Sequence, residues 1–125
     1  MMPGTPTLVL ADTSIWIDHF RHGSDRLSEA IDRGEVLIHD FVLGELALGS
    51  LARRPGLLED LAGLNRVAHA SHEETMTLVT RMRLDSSGIG WVDAHLLTSA
   101  AIAGSRFWTL DRSLSRAAAR AGLIE

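Results

Sequence analysis

Of the 16 acidic residues in this chain, four stand where a carboxylate can do chemistry: Asp12, Glu45, Asp93 and Asp111. Asp12 directly follows the apolar run Thr7 to Ala11, and Asp111 directly follows Phe107 to Leu110. Sites in open α/β sheets form at the carboxyl ends of strands, so two parallel strands would deliver both acids to one edge. Capping of the following helices is the alternative for each. Glu45 is the only charge between Asp40 and Arg53. A carboxylate on an apolar helix face is costly unless a cation or hydrogen bonds receive it. An exposed stripe shared with Gly49 and Arg53 is the other reading. Asp93 falls in the first turn of an apolar helix, where the dipole favours an anion and a metal-ligand role is equally open. Together the four invite one reading: clustered acids repel, and a cluster at neutral pH wants a divalent cation. Oxygen-only ligands favour Mg2+ or Mn2+ over zinc, and such an ion suits phosphate-ester chemistry.

The rest of the composition narrows the field. All 12 basic residues are Arg, and there is neither Lys nor Cys. A P-loop phosphate site and a Schiff-base enzyme both need Lys; thiol catalysis, disulfides and thiolate zinc sites need Cys. The length of 125 residues suits one domain spanning 1–125, and 46% hydrophobic with 22% charged residues reads as globular. The longest stretch free of Asp, Glu and Arg, Ala94 to Ser105, is too short to span a bilayer, and no basic residue precedes Arg21. A cytoplasmic protein without membrane contact is expected, with residues 1–6 as a loose tail.

The elements that must position the acids follow from apolar periodicity. Strands are expected at Thr7–Ala11, Glu35–His39, Arg66–His69 and Phe107–Leu110, with Leu123-Ile124 as an edge strand. Helices are expected from Ile15 to Phe20, Arg26 to Arg33, Phe41 to Leu51 (capped by Asp40), Leu57 to Leu64, Ser71 to about Leu84, Trp91 to Ala103 and Arg112 to Ala121. Ser71 and Glu74 have capping-box spacing. Short apolar strands alternating with helices imply an α/β fold: a three-layer α/β/α sandwich around a short, mainly parallel sheet.

Four segments, Val9 to Asp18 (VLADTSIWID), Glu45 to Gly49 (ELALG), Trp91 to Leu97 (WVDAHLL) and Thr109 to Arg112 (TLDR), resemble in order and spacing the motifs of PIN-domain ribonucleases. The likeness is greatest to the VapC toxins of toxin–antitoxin pairs, and it covers nearly the whole chain from Thr7. It implies an acidic quartet of Asp12, Glu45, Asp93 and Asp111 that binds one or two Mg2+ or Mn2+ ions, with Ser14 and Thr109 as supporting hydroxyls. It further implies an endoribonuclease acting on RNA such as tRNA or rRNA, a homodimer, and silencing by a cognate VapB-type antitoxin. In that reading Asp12, Asp93 and Asp111 hold the metal and Glu45 orients the attacking water, giving 3′-hydroxyl and 5′-phosphate products. A non-toxin PIN nuclease in RNA maturation is the alternative.

Other readings fit less well. An integrin-type A domain, a metal-dependent binding module without catalysis, would need Ser where Trp16 stands. A haloacid-dehalogenase phosphatase would need Asp in place of Ser14. Asp40 reads as a helix cap, with a fifth acid near the metal as the alternative. The six His show no metal-binding spacing and receive no catalytic role. Arg112, Arg116 and Arg120 form a stripe that is either a solvated face or, at Arg112 and Arg116, a contact for RNA phosphates. Trp16, Trp91 and Trp108 are expected in the core or at a dimer interface. The net charge of −4 looks unfavourable for RNA, but two divalent ions at the quartet would cancel it.

Overall fold

A computed structural model describes residues 7–123 and 125. Four strands, β1 (Val9–Ala11), β2 (Val36–Ile38), β3 (Asn65–Arg66) and β4 (Arg106–Trp108), form one parallel sheet in the order β3-β2-β1-β4. Register is fixed by Val9 opposite Val36 on one side of β1 and by Leu10 opposite Phe107 on the other. Every residue of β1 and β2 is buried, as expected for strands covered on both faces.

The helices are α1 (Thr13–His22), α2 (Asp25–Asp32), α3 (Asp40–Leu48), α4 (Leu57–Ala62), α5 (His72–Arg81), α6 (Trp91–Ala103) and α7 (Arg112–Arg120), with a 3₁₀ turn at Ser50–Arg53. The right-handed rule for parallel crossovers puts α1–α2 and α3–α4 over one face of the sheet. The chain then reverses, and α5–α6 return across the other face to β4. The result is the three-layer sandwich that the alternating pattern implies. The core joins Val9, Leu10, Trp16, Leu27, Ile38, Val42, Leu96, Leu97, Phe107 and Leu114. α6 is the central helix: its residues Ala94 to Ala100 are all buried, and it packs on β1 and β4.

Element boundaries differ from the sequence expectation in explicable ways. α1 begins at Thr13, because Asp12 caps it and draws two further residues into the helix. α3 stops at Leu48 because Gly49 takes an extended conformation, and a 3₁₀ turn follows. β3 is two exposed residues instead of four, as befits a sheet edge. Asp40 does not cap α3: the cap is His39, whose Nδ1 accepts the Phe41 amide at 2.9 Å. Leu123 lies in no strand; Ile124 and residues 1–6 fall outside the described residues. The Ser71–Glu74 capping box forms in both directions. Among the described residues no helix is long and apolar enough to cross a membrane.

Candidate active site

β1 and β4 are neighbours, and the sheet order reverses between them: β2 and β3 lie on one side of β1, β4 on the other. Such a switch point opens a crevice beyond the carboxyl ends of the strands. Asp12 and Asp111 both lie there, and the Asp12 amide donates to the Trp108 carbonyl at 3.0 Å. Each acid also caps a helix. Asp12 Oδ1 accepts from the Ile15 amide at 3.2 Å, and Asp111 Oδ1 from the Leu114 amide at 3.0 Å. Capping and a site role are therefore compatible, because a cap occupies only one of the two carboxylate oxygens.

Two hydroxyls fix the Asp12 carboxylate. Ser14 Oγ donates to Oδ1 at 2.5 Å and Thr109 Oγ1 donates to Oδ2 at 2.5 Å. Their direction is set by what each accepts: Ser14 Oγ takes the Leu110 amide at 2.9 Å, and Thr109 Oγ1 takes the Asp111 amide at 3.0 Å. With an acceptor lone pair occupied by an N–H, each hydroxyl turns its proton to the carboxylate. The turns after β1 and β4 are thus cross-linked through Asp12, which is itself buried. These are the two hydroxyls that the resemblance singles out.

Asp93 enters from the third residue of α6, whose cap is Gly90. Its carboxyl is pushed above the usual range, first by partial burial and then by the charges of Asp12 and Asp111; the Gly90 backbone opposes the rise. Glu45 approaches from α3. The residue as a whole is open to solvent, yet partial desolvation is again the main cause of a raised pKa. The Thr13 hydroxyl pulls it down, and Asp93 and Asp12 push it up. The exposed-stripe reading of Glu45 was right about solvent, since Gly49 is exposed beside it. It missed that the carboxyl lies within reach of the charges of Asp93 and Asp12. The structure therefore brings all four acids into one electrostatic cluster.

Asp40 stays apart from that cluster. Its carboxylate meets Arg66 at 3.3 Å and His69 at 2.9 Å, and it is not a fifth acid of the group. Arg112 and Arg116 are exposed on α7, which begins at the residue after Asp111.

Among the described residues no three Asp, Glu or His side chains close into a ready ligand cage. The donor chemistry nonetheless suits a hard divalent cation. Three hydrogen bonds to Asp12 leave a lone pair open on Oδ2, and Asp111 Oδ2 takes none among the described residues. Two further carboxyls resist ionisation, which a cation would relieve.

One group of side chains beside this edge has no precursor in the sequence pattern. His39, Phe41, His69, His95, Trp91 and His72 form a run of ring contacts drawn from the starts of α3, α5 and α6 and the segment after β3. Trp91 lies at the surface, 43% exposed, while Trp16 and Trp108 are buried as expected. Nothing in the spacing of these residues foretells the cluster, because only the tertiary fold joins their elements.

The PIN domain family model matches residues 9–120. Ribonuclease VapC32 from two strains of Mycobacterium tuberculosis, CDC 1551 / Oshkosh and H37Rv, is 43% identical over 117 residues, covering 93% of this chain and 94% of each relative. The crystal structure of PAE2754 from Pyrobaculum aerophilum superposes with a TM-score of 0.62 at 18% identity, over 92% of this chain and 87% of that one, a likeness of fold.

Proposed function

Because the chain belongs to the PIN domain family, we propose that it is a VapC-type endoribonuclease, dependent on Mg2+ or Mn2+ and held in check by a VapB-type antitoxin. The observation that carries this reading is the cluster at the β1–β4 switch point: Asp12 fixed by Ser14 and Thr109, beside Asp111, with its charge acting on both Asp93 and Glu45. Relatives named as ribonucleases over nearly their full length support the RNA-cleaving activity.

Asp12, Asp93 and Asp111 would hold one or two ions, with Glu45 completing the charge. A bound divalent ion lowers the pKa of water and stabilises charge on phosphorus and on the leaving oxygen. The residues of the chain set the geometry for that chemistry. Ser14 and Thr109 orient the Asp12 carboxylate, so its open lone pair has one direction. Glu45, with a carboxyl of raised proton affinity, orients the attacking water and can accept its proton. Water attacks a backbone phosphate in line and the P–O3′ bond breaks, leaving a 3′-hydroxyl and a 5′-phosphate. Arg112 and Arg116 contact the flanking phosphates. The protein acts in the cytoplasm as a homodimer.

Incubation of purified protein with total RNA and Mg2+, beside Asp12→Asn and Asp93→Asn, tests the reading. Cleavage is expected from the unaltered chain alone; activity that survives either substitution, or excess chelator, overturns it. Growth arrest on expression in a bacterial host, relieved by Asp12→Asn and by co-expression of an adjacent antitoxin frame, tests the toxin role. A chain that cleaves RNA but arrests nothing belongs instead to RNA maturation.

A further inference from the structure

The ring cluster beside the acids has three features that bear on what binds there. First, His95 packs edge to face against two of the other rings. His95 meets the Trp91 ring at 4.7 Å and 89°, and the Phe41 ring at 5.5 Å and 74°. His95 is buried while Phe41 is 37% and Trp91 43% exposed, so an inner ring props two outer rings that are partly open to solvent. Second, the props are themselves fixed. The Thr75 hydroxyl holds His95 Nδ1 at 3.3 Å, and the buried His39, stacked on His69 at 4.6 Å, backs Phe41. Third, the strip leads to the acidic cluster. Phe41 and Glu45 lie four residues apart on α3, on one face and one turn from each other.

We propose that Phe41 and Trp91, braced by His95, form a stacking platform for unpaired nucleobases of the RNA strand next to the cleaved phosphate. This deepens the ribonuclease reading and rests on it. Single-stranded nucleic acid is gripped by aromatic faces on which successive bases stack, and this works for any base because each has a π-face. Position favours such a ligand over a second copy of the chain: Glu45 follows Phe41 by one turn of α3, and Asp93 follows Trp91 by two residues on α6. The border of the strip is polar: Arg66 and His69 lie along it, and Asp40, the acid that touches it, is engaged by both. The substrate class that follows is RNA with an unstacked segment, a loop or single strand, at the cut site.

The test uses the fluorescence of Trp91, which is exposed while Trp16 and Trp108 are buried. The full chain is titrated in Mg2+ with a short single-stranded phosphorothioate oligonucleotide, checked on a gel for intactness, and with an abasic oligonucleotide of the same backbone. Stacking quenches Trp91 with the first and not with the second. Trp91→Ala and Phe41→Ala should each weaken binding of the base-bearing strand roughly five- to a hundredfold. Binding of the abasic strand should be unchanged, and Trp91→Phe should retain most of the affinity. Both sites are at the surface, and thermal melts report whether each variant is folded. Equal quenching by the two strands, or equal losses for both, overturns the proposal, as does Trp91→Ala binding both normally. An unchanged affinity with a shift in sedimentation assigns the face to a second copy. Cleavage of total RNA, measured separately, shows whether a failure reaches the ribonuclease reading too.

Discussion

Thr109→Val isolates the bond that ties β4 to Asp12. Valine keeps the shape of the side chain but removes the hydroxyl, leaving Asp12 Oδ2 without its 2.5 Å donor and the Asp111 amide without its acceptor. A hydrogen bond to a charged group contributes about 1.5–3 kcal/mol, and Asp12 is buried, so a loss near ~2 kcal/mol is expected. With an unfolding entropy of ~2.1 cal/mol/K per residue over 125 residues, that lowers Tm by about 8 °C. In an Asp12→Asn background the same hydroxyl meets a neutral amide, where a bond is worth about 0.5–1.5 kcal/mol. The second Thr109→Val step should then cost about half as much. Thermal and urea melts of the four proteins in chelator give a double-mutant cycle with a coupling near ~1 kcal/mol. Sites with no shared partner add within about 0.5 kcal/mol. A cycle that closes within that margin would refute the reasoning that Thr109 acts through the Asp12 charge.

Three other outcomes follow from the site. Glu45 and Asp93 have carboxyls raised above their ordinary values, so their ionised forms cost stability above the folded pKa, and the cost is removed as pH falls through it. In chelator near neutral pH, Glu45→Gln and Asp93→Asn should therefore melt higher than the parent, although both lose cleavage when assayed in Mg2+, and the gain in Tm should shrink toward the carboxylate range; a lower Tm for both at neutral pH contradicts the cluster. His39 is held at about 4 by burial and by neighbouring His69, against an ordinary 6.5. The unfolded chain protonates first, so stability is lost as pH falls from about 6.5 to about 4, and His39→Gln should flatten that limb in pH-dependent melts. Charge reversal at Arg112 and Arg116 should weaken RNA binding across sequences and reduce the salt slope by about one per lost phosphate contact; an unchanged slope leaves α7 a solvated face.

How much of this was legible beforehand depended on range. Asp12 and Asp111 could be placed because a strand followed by an acid is a local pattern, and parallel strands bring their ends to one edge. The hydroxyls Ser14 and Thr109 were reached only through the family resemblance, since their partners are 97 residues apart in one case and nothing in a single segment announces them. Glu45 left two readings open because an exposed backbone position and a carboxyl turned inward look alike in sequence. The cap of α3 fell to His39 because an imidazole nitrogen can accept a backbone amide as a carboxylate does, and Asp40 found Arg66 and His69 instead. Trp91 in an apolar run reads as core or dimer interface, and the structure removes the core half, since the first residue of α6 stands where the helix emerges. The ring cluster joins four segments and could be seen only once the fold had joined them.

The Thr109–Asp12 bond also has a meaning in time. Loop closure over 97 residues is among the slowest kinds of contact to form, and it has to wait for β4 to dock beside β1. Until then Asp12 is an ordinary helix cap with a free oxygen, Asp111 hangs from an unfolded segment, and no crevice exists between the strands. A chain still leaving the ribosome with β1, β2 and β3 already paired would carry two of the four acids, Asp12 and Glu45, and no assembled centre. The order of strands in the sheet thus makes arming the site one of the last events of folding.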